Sequence, residues 1–476
     1  MPNIESDFLP YSTPEREGVS SDVLLELFRE WKTLDSLNSF IIVRRGKVIA
    51  EHYFAPYRPE VPHMLFSLTK SFTSLAIGFA EAEGKLSLDA PAADFFPDKT
   101  FAQDRDRIRR VTIRHLLTMS GGHDRCPLLS LPYRELVRRP DYVKAFFDMP
   151  FVYEPGEKFI YNSGGTHVLA AIVKKVTGMN MTEYLTPRLL APLGISTFSV
   201  MQAPDGVEMG GWGGLARTRD LAKLGQCILQ GGVWRGRQII PAEYLRLATG
   251  VRQDNSENAL ADWKLGYGYQ FWRSTYGYRC DGAAGQYAVI LPEFDLAFAS
   301  VSATPTMQAI LTALWEEVVP ALSSSPLPEN KAAQAELRET LDRLAIPFAA
   351  GNEAPRHIRK RFEFTPNACG ILSCSVEAER DECALTFRFA GSKTEQLRAG
   401  FGKFAYSDVR LTDRSPHPTA ASAAWTDGKL VIESFILDGT FRSTYTVDFT
   451  PGVAEPVTRK DICSTFRQPW EDLKLR

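Results

Sequence analysis

No apolar run in this 476-residue sequence approaches the roughly 18 residues of a membrane-spanning helix, so no membrane span is expected. An excess of basic charge is also missing. Lys and Arg total 55 against 57 Asp and Glu, which removes the electrostatic footprint of a dedicated nucleic-acid binder. The first residues, Met1-Pro2-Asn3-Ile4-Glu5-Ser6-Asp7, lack the basic start and apolar stretch of a secretory signal, which points to the cytoplasm. Cysteines at positions 126, 227, 280, 369, 374, 383 and 463 form no C-x-x-C pair, and their odd number reads as free thiols. H-E-x-x-H does not occur, and His115 and His123 are too far apart for one helical face, so no metal site is expected. G-x-S-x-G, G-x-x-x-x-G-K-[ST] and a post-strand G-x-G-x-x-G are absent as well. Those absences count against α/β-hydrolase, kinase-like and dinucleotide chemistry, and no cofactor is expected.

What is present is an ordinary globular composition, 44% hydrophobic and 24% charged, over a length that predicts two or three domains. Two β-rich runs, 39–44 and 48–54, meet at Arg45-Gly46-Lys47 and predict a hairpin. Residues 71–83 combine good helix formers with apolar residues on most faces and predict a buried helix. Thr112 is placed to cap a helix over 113–119, and 166–176 carries an apolar stripe that ends at Lys174-Lys175 and Gly178. Strand signals return at 267–273, 277–280, 286–291 and 296–301, followed by an amphipathic helix at 306–322. The expected fold class is α+β: an antiparallel sheet built from both ends of the domain and flanked by helices, with an all-α region inserted. Residues 1–322 form this first domain, and 323–350 read as a linker (Ser323–Pro328) with a short charged helix at 331–344. Residues 351–476 carry repeated β segments at 370–378, 383–389, 421–426, 430–437 and 441–449, and predict a small antiparallel β-sandwich or barrel.

Three segments carry residues suited to chemistry. The single S-x-x-K, Ser67-Leu68-Thr69-Lys70, opens the buried helix. Three residues is nearly one turn, so the two side chains share a face. A serine hydroxyl needs a base, and a buried lysine at a helix N-terminus is pushed toward the neutral amine. Tyr161-Asn162-Ser163 precedes the 166–176 helix; its phenol could shuttle a proton, or simply pack. Cys280-Asp281-Gly282-Ala283 lies between two strands, where glycine permits close approach of a substrate and a free N–H could meet an oxyanion; a plain hairpin turn is the alternative.

In this order and spacing the segments resemble the serine β-lactamase and penicillin-binding-protein superfamily. The likeness is to its class C-like branch of esterases, D-aminopeptidases and nylon-oligomer hydrolases. Further collinear matches are Glu83-Gly84-Lys85-Leu86-Ser87-Leu88-Asp89, Val111–Gly121 and Gly213–Ala222, which extend the resemblance over about residues 15–320. The resemblance implies that Ser67 is the acylated nucleophile, Lys70 its proton acceptor and Tyr161 the partner in proton relay. It places Ser163 and Gly282 in the substrate-binding motifs and Ala283 with Ser67 in the oxyanion hole. Two departures bear on substrate: Ser163 replaces an Asn, and Cys280-Asp281 removes the base of the third motif and adds a negative charge expected to repel carboxylates. The implied function is a serine hydrolase acting on small-molecule esters or amides. Acyl transfer, β-lactam or D-amino-acid peptide hydrolysis, and a catalytically silent binding module are the alternatives. An assembly of identical chains is compatible with all of them.

Overall fold

The computed structural model describes residues 8–34, 37–126, 128, 141–352, 357–367, 369–410, 415–462 and 473–475. Two compact units divide the chain: Met1–His52 with Pro62–Arg343, and Tyr53–Val61 with Leu344–Arg476. The charged helix Lys331–Arg343 therefore falls in the first unit, and the short stretch after the predicted hairpin falls in the second.

In the first unit six strands form one sheet: β1 (Leu37–Arg44), β2 (Lys47–Tyr53), β3 (Trp272–Arg273), β4 (Tyr278–Gly282), β5 (Gln286–Leu291) and β6 (Leu296–Ser302). Their order is β2-β1-β6-β5-β4-β3, so the first and last strands in sequence pair inside the sheet. That pairing is antiparallel, with Ile42 opposite Phe298 and Ile41 opposite Ala299. β1 is buried along its whole length because helices cover both faces of the sheet. On one face Phe28 and Trp31 of α1 (Ser21–Lys32) meet Phe40 and Phe298 at ring separations of 4.8–5.3 Å. The other face, including Ile41, Val43, Ala297 and Ala299, shares a core with Leu221, Leu224 and Ile228, which lie between Thr218 and Leu229.

The region between β2 and β3 supplies the helices that hold the candidate site. α2 (Thr69–Ala82) is buried from Thr69 through Ala80, as its composition predicts. α3 runs Ser163–Thr177 and stops at the left-handed Gly178. It begins three residues earlier than the apolar stripe suggests, because the Asn162 side chain caps it by accepting from the N–H groups of Gly164 and Gly165. Only Trp272–Arg273 of the segment expected as a strand at 267–273 joins the sheet. The predicted helix over 306–322 is α-helical at Met307–Ala313, then widens at Leu314–Val318 and tightens at Val319–Ala321, where Pro320 offers no N–H.

Ser323–Pro328, read as a linker, is tied back onto the first unit. Ser323 N–H donates to Gly18 O (2.9 Å), Leu327 N–H to Glu15 O (2.8 Å), and Arg44 Nη2 to Ser323 O (2.8 Å).

The second unit carries a nine-stranded sheet whose main path runs from Ile358–Glu363 to Val457–Ile462. Neighbours pair antiparallel except Thr394–Phe401 with His417–Thr426, which pair parallel. Bridges Phe364–Leu475 and Val457–Leu473 bring the last described residues to both ends of the sheet and curl it around a core that includes Val376, Leu385, Leu397, Ile432 and Val447. Among the described residues six cysteines form no disulfide; Cys463 lies outside the described residues. Among the described residues no helix is long and apolar enough to cross a membrane, and no cluster of ligands for a metal is found.

Candidate active site

Ser67 sits in the turn that leads into α2, between the strand His63–Phe66 and the first helical residue, Thr69. The preceding residue, Phe66, has a left-handed backbone (φ 47°), which non-glycine residues rarely adopt. Thr69 Oγ1 stabilises the turn by donating to Phe66 O (2.6 Å) while accepting from Gly214 N–H (2.9 Å). The strain falls one residue before the candidate nucleophile, and functional sites are a usual place for stored backbone strain.

One turn on, Lys70 is 1% exposed. Its Nζ lies 3.0 Å from Ser67 Oγ, 3.0 Å from Ser163 Oγ and 2.5 Å from Gly211 O. Among the described residues no carboxylate makes an ion pair with this amine. Burial pulls it down to about 7, with Cys126 and Asp281 pulling weakly the other way. The sequence gives no sign of Gly211, since a backbone carbonyl carries no residue signature. Its glycine is explained by close packing: a Cβ there would press on the Ser163 carbonyl at 2.9 Å.

Tyr161 is positioned by its neighbours. Ile160 N–H donates to Met119 O (2.8 Å), and Asn162 is the α3 cap. The Tyr161 ring stacks on Trp272 at 5.5 Å and lies 4.7 Å from Lys70 Nζ. Burial pushes its phenol well above the ordinary range, and the Ser67 hydroxyl pulls it partway back. Ser67, Lys70, Tyr161 and Ser163, named from separate stretches of sequence, therefore come together.

Gly282 ends β4 against the Ser67 turn. A Cβ on it would overlap Leu65 O and sit 3.1 Å from Leu68 N, so only glycine lets the strand approach this closely. Ala283 follows in the turn to β5. Neither its N–H nor that of Ser67 meets an acceptor among the described residues.

The expected repulsion by Asp281 needs correction. Its carboxylate accepts from Arg279 Nε at 2.7 Å, and both side chains are buried. Arg279 also donates to Asp262 O, Arg273 O and Ser274 Oγ, which fixes the pair in place. Burial raises the Asp281 carboxyl to about 6 against the opposing pull of Arg279. The negative charge is thus taken up within the protein. Cys280 is fully buried, and burial pushes its thiol up to about 12, so no cation occupies the third motif. Of the neighbouring aromatic residues, Tyr267 and Trp272 pack with Tyr161 and Phe159. Trp212 belongs to a small core with Cys126 and Tyr142, Tyr269 packs on Tyr244, and the Tyr287 hydroxyl donates to Met307 O.

Known proteins resemble this chain in sequence and in fold. It is 28% identical over 235 residues to the 6-aminohexanoate-dimer hydrolase of Paenarthrobacter ureafaciens, covering 45% of this chain and 58% of that protein. It is 28% identical over 171 residues to the monacolin J acid methylbutanoyltransferase of Aspergillus terreus, covering 32% and 41%. The aligned part thus spans less than two thirds of either relative. Among solved structures, the octameric penicillin-binding protein homologue from Pyrococcus abyssi superposes with a TM-score of 0.51 at 19% identity, covering 89% of this chain and 96% of that one. SurE superposes with a TM-score of 0.50 at 19% identity, covering 94% and 97%. The Beta-lactamase family model matches residues 38–319, a span that contains Ser67, Lys70, Tyr161, Ser163, Gly282 and Ala283. The chain belongs to the β-lactamase family, within the serine β-lactamase and penicillin-binding-protein superfamily.

Proposed function

We propose that the protein is a serine hydrolase that cleaves small-molecule esters or amides through an acyl-enzyme on Ser67. The observation that carries this reading is the Lys70 amine, buried, free of any carboxylate ion pair among the described residues and 3.0 Å from the serine hydroxyl. As a neutral amine Lys70 has two N–H donors and one lone pair. Gly211 O at 2.5 Å and Ser163 Oγ at 3.0 Å accept the two donors, which leaves the lone pair for the Ser67 proton.

Ser67 Oγ then bonds to the substrate carbonyl carbon as its proton passes to Lys70. Tyr161, held protonated by burial, acts as relay rather than base: it gives its proton to the leaving oxygen or nitrogen and regains one from Lys70. The bond to the leaving group breaks, and water attacks the acyl-enzyme by the reverse proton path. The N–H groups of Ser67 and Ala283 receive the oxyanion, a contribution of about 3–4 kcal/mol per donor in acyl transfer. A burst of one equivalent of p-nitrophenol from p-nitrophenyl butyrate, lost in Lys70→Met, is the expected result. A burst that survives that substitution contradicts the assignment.

Acyl transfer to an alcohol is the second reading, favoured by the resemblance to a methylbutanoyltransferase. Ester products formed on adding short alcohols distinguish it from hydrolysis.

A further inference from the structure

A cavity of about 340 Å³ adjoins the candidate site, with Tyr161 as a shared wall. Its other walls come from the segment before α3 and from residues 253–258. Two kinds of group suited to a cation meet there. The ring of Phe159 is one, and the carboxylates of Glu157, Asp254 and Glu257 are the other. The one amine in the wall, Lys158, is spent on Glu257 at 2.9 Å. Asp254 accepts only from Ser256, and Glu157 only from the Glu154 N–H, so neither is neutralised by an ion pair among the described residues. Asn255 is buried in the same wall. Its Oδ1 accepts from Gly266 N–H at 2.6 Å, which fixes the 253–258 wall of the cavity in place.

We propose that this cavity receives the leaving group of the substrate, and that the preferred leaving group carries a quaternary or primary ammonium. The proposal rests on Tyr161 delivering the proton to the leaving atom, because that places the departing alcohol or amine against the Tyr161 wall. The Phe159 ring and the carboxylates of Glu157 and Asp254 both attract the cation. The preference over a neutral group of equal shape follows from charge alone.

Acetylcholine and 3,3-dimethylbutyl acetate test this directly, since they match in shape and differ in charge. The wild-type kcat/KM ratio is expected to favour acetylcholine by roughly tenfold. The Glu157→Gln/Asp254→Asn double variant keeps its local hydrogen bonds, and its ratio should fall toward one. A ratio of one or less in the wild type, or an unchanged ratio in the double variant, overturns the proposal. Titration calorimetry with choline chloride, against sodium chloride at equal ionic strength, gives a readout without turnover: binding to the wild type and loss in the double variant are expected. Choline binding with no Ser67-dependent hydrolysis of p-nitrophenyl acetate refutes the hydrolase reading and spares the cavity. Ester turnover without charge discrimination refutes the cavity alone.

Discussion

Arg279 and Asp281, two residues apart on one strand, meet at 2.7 Å with both side chains buried beside the candidate site. Alternate residues on a strand share a face, so this pairing follows from the β geometry of Tyr278–Gly282. Removing one partner leaves a buried charge uncompensated. Arg279→Met is expected to cost about 3–5 kcal/mol in urea unfolding, and adding Asp281→Leu should recover most of it. Equal losses in the single and double variants would show that the pair is not the source.

Lys70 carries a stability cost with a defined pH dependence. Its folded value, about 7, lies below the ordinary 10.5, so the unfolded chain holds the proton more tightly. The cost is therefore full below about pH 7 and fades as pH rises toward 10.5. Lys70→Met should gain stability relative to wild type at pH 6, by about 2–4 kcal/mol more than at pH 9.5, while losing acylation. A stability difference that does not change with pH contradicts the buried-amine account.

Tyr161→Phe keeps the ring that stacks on Trp272 and removes only the hydroxyl. Ester hydrolysis is expected to fall by about 10²–10⁴-fold, with unfolding free energy changed by less than ~1 kcal/mol. A fall in activity matched by a large loss of stability would make Tyr161 a packing residue.

Gly282→Ala forces a methyl group into the Leu65 carbonyl, where backbone must move. A loss of at least ~2 kcal/mol by denaturant titration is expected, together with loss of ester hydrolysis. Near-wild-type values for both would mean that β4 does not need its close approach to the Ser67 turn.

The third motif offers a carboxylate no cation, since Cys280 is a buried thiol and Arg279 is occupied by Asp281. A missing charged contact of this kind corresponds to roughly a hundredfold in rate constant. Neutral p-nitrophenyl acetate or butyrate should exceed benzylpenicillin in kcat/KM by about that factor. Faster hydrolysis of benzylpenicillin would assign the chain to β-lactam chemistry.

Much of this was legible where chemistry depends on residue type and spacing. The one S-x-x-K put Ser67 and Lys70 a turn apart, and the hairpin and buried helix followed from alternation and helix-forming composition. Contacts that depend on backbone were not legible: Gly211 enters through its carbonyl, and the start of α3 was missed because Gly164-Gly165 hides the Asn162 cap. The Arg279–Asp281 pair was not legible because the predicted strand stops at residue 280, and only the extension of β4 to Gly282 places the two charges on one face of a strand. In the second unit, Ile358–Glu363 and Thr394–Phe401 were not among the predicted strands. They are polar on one face and offer few large apolar residues, and the parallel pair has no hairpin turn to announce it.

The central claim, a Ser67 nucleophile activated by a neutral Lys70, is tested most directly by intact-mass measurement after reaction with a fluorophosphonate across pH. The account predicts one adduct per chain, on the peptide containing Ser67, absent in Ser67→Ala, with a labelling rate that rises through about pH 7 as Lys70 loses its proton. An adduct that persists in Ser67→Ala, or a labelling rate that does not change between pH 5.5 and 8.5, would contradict it.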